Sequence, residues 1–125
     1  MSKTDQFPAV FQALRALLAP HAPRLLVKTD TAENYYLDTA IIQKNKLPLF
    51  FGAVQIKKNY VSFHLFPVYV FPELLASISP ELRKRMQGKS CFNFTAVDEP
   101  LLEELGRLTD AGMRRFEEAG YVKER

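Results

Sequence analysis

The chain has 125 residues, 47% of them hydrophobic and 25% charged, a length and balance that suit one domain with its own core and exclude a disordered reading. Seventeen basic and 14 acidic side chains leave a net charge of +3, short of the basic excess of a dedicated nucleic-acid domain, so a nucleic-acid partner is not expected. The single cysteine, Cys91, excludes an internal disulfide and a Cys/His zinc site, and it fits a reducing, cytoplasmic setting.

Residues 1–6 are polar, so neither a signal peptide nor a membrane anchor is expected. Phe7, Val10, Phe11, Leu14, Leu17 and Leu18 then fall at helical spacing, with Asp5 or Thr4 as N-cap, Pro8 in the first turn and Pro20 as a stop. The polar side of this helix carries Gln12 and Arg15 and no carboxylate.

Four strands follow. Leu25-Leu26-Val27 leads through a turn at residues 30–34 into a strand over residues 35–42, and Lys44-Asn45-Lys46 turns the chain into residues 49–56. Lys57-Lys58-Asn59 reads as a three-residue hairpin loop. That loop predicts Ile56 opposite Tyr60, Val54 opposite Ser62 and Gly52 opposite His64, with Val61, Phe63 and Leu65 sharing the core side with Phe51 and Ala53. Gly52 would then leave space beside the imidazole.

Short helices are predicted near Pro72 and at Ser79-Pro80-Glu81, where serine caps and proline occupies the first turn. Cys91-Phe92-Asn93-Phe94 alternates as a strand, and Leu101, Leu105, Leu108 and Phe116 line a closing helix that opens at Asp98-Glu99-Pro100 and ends at Gly120. The fold class is therefore α+β: an antiparallel sheet of about five strands packed against N-terminal and C-terminal helices, in one domain spanning residues 1–125.

Candidate chemistry is sparse. His64 and Cys91 supply a base and a thiol, but no third orienting group or oxyanion donors accompany them, so the cysteine reads as a small buried hydrophobe and no catalytic residue is assigned. A Cys-dependent enzyme is the weaker alternative. Arg83, Lys84, Arg85 and Lys89 form the strongest basic cluster, yet Gly88-Lys89-Ser90 lacks the first glycine of a phosphate loop, Arg83 standing in its place. Helix-end charge explains the cluster, and base-stacking residues beside it are not evident. The residues assigned to a binding face are Tyr36, Ser62, His64, Lys89, Cys91 and Asn93, with Phe50 and Phe66 at its border.

Tyr60-Val61-Ser62-Phe63-His64-Leu65, the stretch Gly88-Lys89-Ser90-Cys91-Phe92-Asn93-Phe94 and the closing helix together resemble the YdhG-like domain-of-unknown-function family, from about Phe7 onward. The resemblance implies a curved antiparallel sheet backed by terminal helices, related to the frataxin shape, and an iron-binding chaperone role described for some members. Iron enters by that resemblance alone: hard iron ions favour clustered oxygen ligands, whereas Asp30, Glu33 and Asp38 are scattered and Glu99, Glu103 and Glu104 suit a helix start. No cofactor and no metal ligand is assigned from the residues themselves. The leading expectation is a non-enzymatic binding or adaptor domain whose amphipathic sheet face takes a small molecule or a protein segment, with a homodimer through a sheet edge as a further option.

Overall fold

Side chains along a strand alternate between two faces, and in the computed structural model, which describes residues 3–122, those two faces meet different surroundings. Six antiparallel strands, β1 (Leu26–Asp30), β2 (Asn34–Ile42), β3 (Pro48–Ile56), β4 (Val61–Leu65), β5 (Met86–Gln87) and β6 (Cys91–Phe94), form one sheet in the order β1-β2-β3-β4-β6-β5. The expected count of about five misses β5. Its two residues pair with Phe92 and Cys91 across a tight turn in which Gly88 has φ +80°, a segment too short for alternation to reveal.

Helices α1 (Phe7–Leu18) and α4 (Glu99–Glu118) lie on one side of the sheet. From α1, Phe7, Val10, Phe11, Leu14 and Leu18 are buried; from α4, Leu105, Met113 and Phe116 close the same core over Val61, Phe63 and Leu65 of β4. A 3₁₀ turn over Lys3–Gln6 runs directly into α1, so the N-cap position falls on Gln6, whose side chain makes no capping hydrogen bond. Asp5 therefore is not the cap, and the side chain of Thr4, like all of Met1 and Ser2, lies outside the described residues.

The ends of α4 follow the sequence reading. The Asp98 carboxylate accepts from the Leu101 N–H at 3.4 Å, and at the far end Gly120 takes φ +84° so that the Tyr121 N–H reaches the Phe116 carbonyl at 2.8 Å. Tyr121 then packs edge-on against the Phe116 ring. Between β4 and β5 the chain makes α2 (Pro67–Val70), a 3₁₀ turn (Pro72–Leu75) and α3 (Pro80–Arg83), the last capped by Ser79 as expected. The turn starting at Pro67 is one helical segment more than the sequence signals suggest.

The β3–β4 register differs from the three-residue-loop expectation by one residue. The connection is a four-residue turn, residues 57–60, closed by the Lys57 N–H donating to the Tyr60 carbonyl at 2.8 Å. Ile56 consequently faces Val61, Gln55 faces Ser62, Ala53 faces His64 and Gly52 faces Leu65. A bulge in β3 adds to this. Leu37 of β2 faces Gly52 while Asp38 faces Phe50, leaving Phe51 as the extra residue. Phe51 and Gly52 both turn toward the helices: the Phe51 ring meets Phe116 and His21, and a Cβ on Gly52 would lie 3.1 Å from Leu18 Cδ2. Ala53 and Phe50 are thus on the His64 face, and the small residue beside the imidazole is Ala53 instead of Gly52.

Two substitutions test this packing. Phe63→Ala empties a fully buried site and is expected to cost about 3–5 kcal/mol in denaturant melts. In Gly52→Ala the new Cβ would sit 2.9 Å from the His64 carbonyl oxygen, a backbone atom that cannot rotate away, so a loss of about 1–3 kcal/mol is expected. An unchanged midpoint for Gly52→Ala would contradict the bulge.

Candidate functional site

The sheet face opposite α1 and α4 carries the polar strand residues singled out in the sequence. Antiparallel pairing sets His64 beside Cys91 and Ser62 beside Asn93 across β4 and β6, with Gln55 opposite Ser62 from β3. These side chains, with Lys57, Tyr60 and Gln87, line a groove of about 240 Å³. Phe92 and Phe94 point the other way and are buried, so β6 alternates as expected.

Tyr36 reaches this groove through a second residue. Its ring stacks on Phe50 at 4.7 Å between centroids, and the Phe50 ring meets the His64 imidazole edge-on at 5.3 Å. Phe50 also touches Phe66 at 5.8 Å, and Phe66 stacks on Tyr69 of α2 at 5.3 Å. A continuous row of rings therefore crosses the face from β2 to α2. Lys28 Nζ lies 5.3 Å from the Tyr36 centroid at one end, and Lys89 Nζ lies 5.9 Å from the Tyr69 centroid at the other. Lys89 belongs to a neighbouring groove of about 640 Å³, shared with Tyr69, Arg83 and Met86. It stands apart from the Ser62, His64, Cys91 and Asn93 groove.

Partial burial shapes the electrostatics. The His64 pKa is lowered from 6.5, first by desolvation and then by the Lys57 ammonium, so the imidazole is neutral at pH 7 and offers one donor and one acceptor. Burial raises the Cys91 thiol pKa, opposed by the Ser62 hydroxyl hydrogen bond and by Lys57. The thiol's polar partner is thus Ser62, although His64 is its cross-strand neighbour. Burial likewise raises the Asp38 carboxyl, with Lys28 opposing, and raises the Tyr36 phenol, to which Asp38 adds.

The basic cluster disperses in the fold. The Arg83 guanidinium donates to the Leu75 carbonyl at 2.7 Å, Arg85 lies over Phe94, and Lys89 lies over Tyr69. Sequence reasoning missed Gln55, Lys57, Gln87, Lys28 and Tyr69. Gln55 follows once the hairpin turn is given four residues; Gln87 and Tyr69 sit in segments too short to carry a periodic signal. No group of three His, Cys, Asp or Glu side chains able to hold a metal ion occurs among the described residues, and no helix among them is long and apolar enough to cross a membrane. No family model, curated protein or solved structure matches the chain.

Iodoacetamide kinetics examine the thiol. With its pKa raised, Cys91 is expected to react more slowly than a free small-molecule thiol at pH 7, and His64→Ala is expected to leave the rate unchanged. A faster native thiol whose advantage disappears in His64→Ala would establish an activated pair instead.

An NMR titration examines the imidazole, with an expected midpoint below 6.5. A lowered folded pKa means that the unfolded chain binds the proton more readily. The linked contribution to stability is therefore unchanged above the unfolded pKa and falls as pH drops from about 6.5 through the folded value. A midpoint at or above 6.5 would remove the claim that the face is desolvated at His64.

Proposed function

We propose that the chain is a non-enzymatic binding domain of the YdhG-like, frataxin-shaped kind whose ligand lies on the open sheet face. One observation carries the reading: α1 and α4 pack on the opposite side, while this face holds a groove of amides, a hydroxyl and a neutral imidazole beside a row of half-buried rings. Large apolar side chains grouped at a surface with a few directed polar groups are the usual make-up of a recognition surface. A catalytic reading has less support, because the thiol is held in its protonated form and its polar partner is a hydroxyl. The iron-chaperone alternative would need clustered oxygen donors, and Asp30 is already engaged by Arg15, Glu73 by Arg115 and Glu117 by Arg24.

The reading predicts a separation of binding from stability. His64→Ala is expected to cost less than about 1 kcal/mol in denaturant melts, since the imidazole borders a groove, while ligands found by an NMR screen shift Ser62, His64 and Asn93 in preference to the helix layer. A loss of about 1–3 kcal/mol, with every detected ligand bound as in the unsubstituted protein, would instead make His64 a structural hydrogen-bonding group and reject the site.

A further inference from the structure

The ring row is longer than a small-molecule site requires, and the His64 groove, about 240 Å³, falls below the ~300–1,000 Å³ typical of drug-sized pockets. Tyr36, Phe50, Phe66 and Tyr69 come from β2, β3, the end of β4 and α2, and their centroids follow one another at 4.7, 5.8 and 5.3 Å. None belongs to the core, and Tyr69 is 51% exposed. An open aromatic track of this kind matches a chain-like ligand better than an enclosed one.

Charge narrows the ligand further. Lys28 and Lys89 stand over the two ends of the row and Lys57 lines the His64 groove, and among the described residues none of the three has a carboxylate within ion-pair distance. Four acids on the helix side are already matched: Asp30 with Arg15, Glu73 with Arg115, Glu117 with Arg24, and Asp110 with His21. Asp38, opposite Phe50 in the sheet, is a carboxylate near the rings; it is 5% exposed and feels the Lys28 ammonium without forming an ion pair. The face therefore combines stacking surface with unmatched positive charge, the two features that hold nucleic-acid single strands.

We propose that this face binds single-stranded nucleic acid, its bases stacking on the outer faces of Tyr36 and Tyr69, from which Lys28 and Lys89 move to the phosphates, and packing against the edges of Phe50 and Phe66 between them. Lys28, Lys57 and Lys89 draw the phosphates, and the groove beside Tyr69 gives the backbone a path past Lys89 and Arg83. His64, Gln55 and Asn93 supply donors and acceptors to base edges. Such a partner is not expected from the residues alone, where no base-stacking group is evident beside the cluster around Lys89; the fold brings Tyr69 under that lysine. The inference rests on the reading of this face as the binding surface.

Fluorescence anisotropy with labelled single strands of about 12 nucleotides, oligo-U and oligo-dT, and with a duplex of the same length tests it. Micromolar binding of a single strand, at least about tenfold tighter than the duplex and weakening from ~50 to ~200 mM salt, is expected. Tyr69→Ala and Phe50→Ala should each lose about tenfold while Tyr69→Phe retains affinity, and Lys28→Gln and Lys89→Gln should each lower the salt slope by about one. Circular dichroism melts identify any variant that fails to fold, and the Tyr69 pair at the exposed end then decides. Equal affinity for duplex and single strand, unmoved by the ring substitutions, overturns the proposal in favour of bare charge. Free UMP binding as tightly as the oligonucleotide overturns the polymer. NMR shifts on Ser62, His64 and Asn93 with an acidic tryptophan-containing peptide, and none with either oligonucleotide, overturn nucleic acid yet leave the face as a binding surface; shifts with no probe overturn both.

Discussion

The bulge at Phe51 and Gly52 is the constraint on which the open face depends. By placing two consecutive β3 residues against the helices, it lets Phe51 fill the core beside Phe116 while Gly52 accommodates Leu18 and the His64 carbonyl. The same offset turns Phe50 outward, between Tyr36 and Phe66. With regular alternation, Phe50 would point into the core and Phe51 would take the outer face in its place, one residue further along β3. A device of backbone geometry thus determines a property of the surface.

A second asymmetry lies in the charges. On the helix side, Asp30, Glu73 and Glu117 meet arginines, Asp110 meets His21, and the Glu104 carboxylate accepts from both the backbone N–H and the hydroxyl of Ser79 at 2.6 Å. The opposite face keeps lysines over aromatic rings, where the ring quadrupole partly compensates the ammonium. Tyr36, Asp38, His64 and Cys91 are shifted by desolvation more than by any neighbour, which leaves a neutral imidazole and a protonated thiol on the same face as those lysines. Such a surface recognises through stacking and hydrogen bonding, with charge acting at its ends.

Much of this was legible in the residues. The helical spacing of Phe7 to Leu18, the Asp98 and Gly120 boundaries of α4, and the faces of β4 and β6 follow from periodicity and capping, and the structure agrees. The pairing of Gly52 with Leu65, in place of the expected His64, was not recoverable, because a one-residue difference in turn length reverses which residues face each other, and a bulge leaves no signature in residue type. The grouping of Ser62, His64, Cys91 and Asn93 survived that error, since alternation within each strand is independent of the neighbour's register. The place of Tyr69 and of Lys89 depends on how three short proline-opened turns fold back, which no local pattern encodes.

The outermost strands carry a different implication. β1 is five residues long and its pairing slips between Val27 and Thr29, while β5 has only two residues. A newcomer strand would find either an irregular hydrogen-bonding rim or one that ends after a single residue pair, and both are poor templates for cross-β growth. The exposure of Leu26 and Val27, 53% and 48%, therefore falls on a rim whose irregular pairing disfavours strand addition.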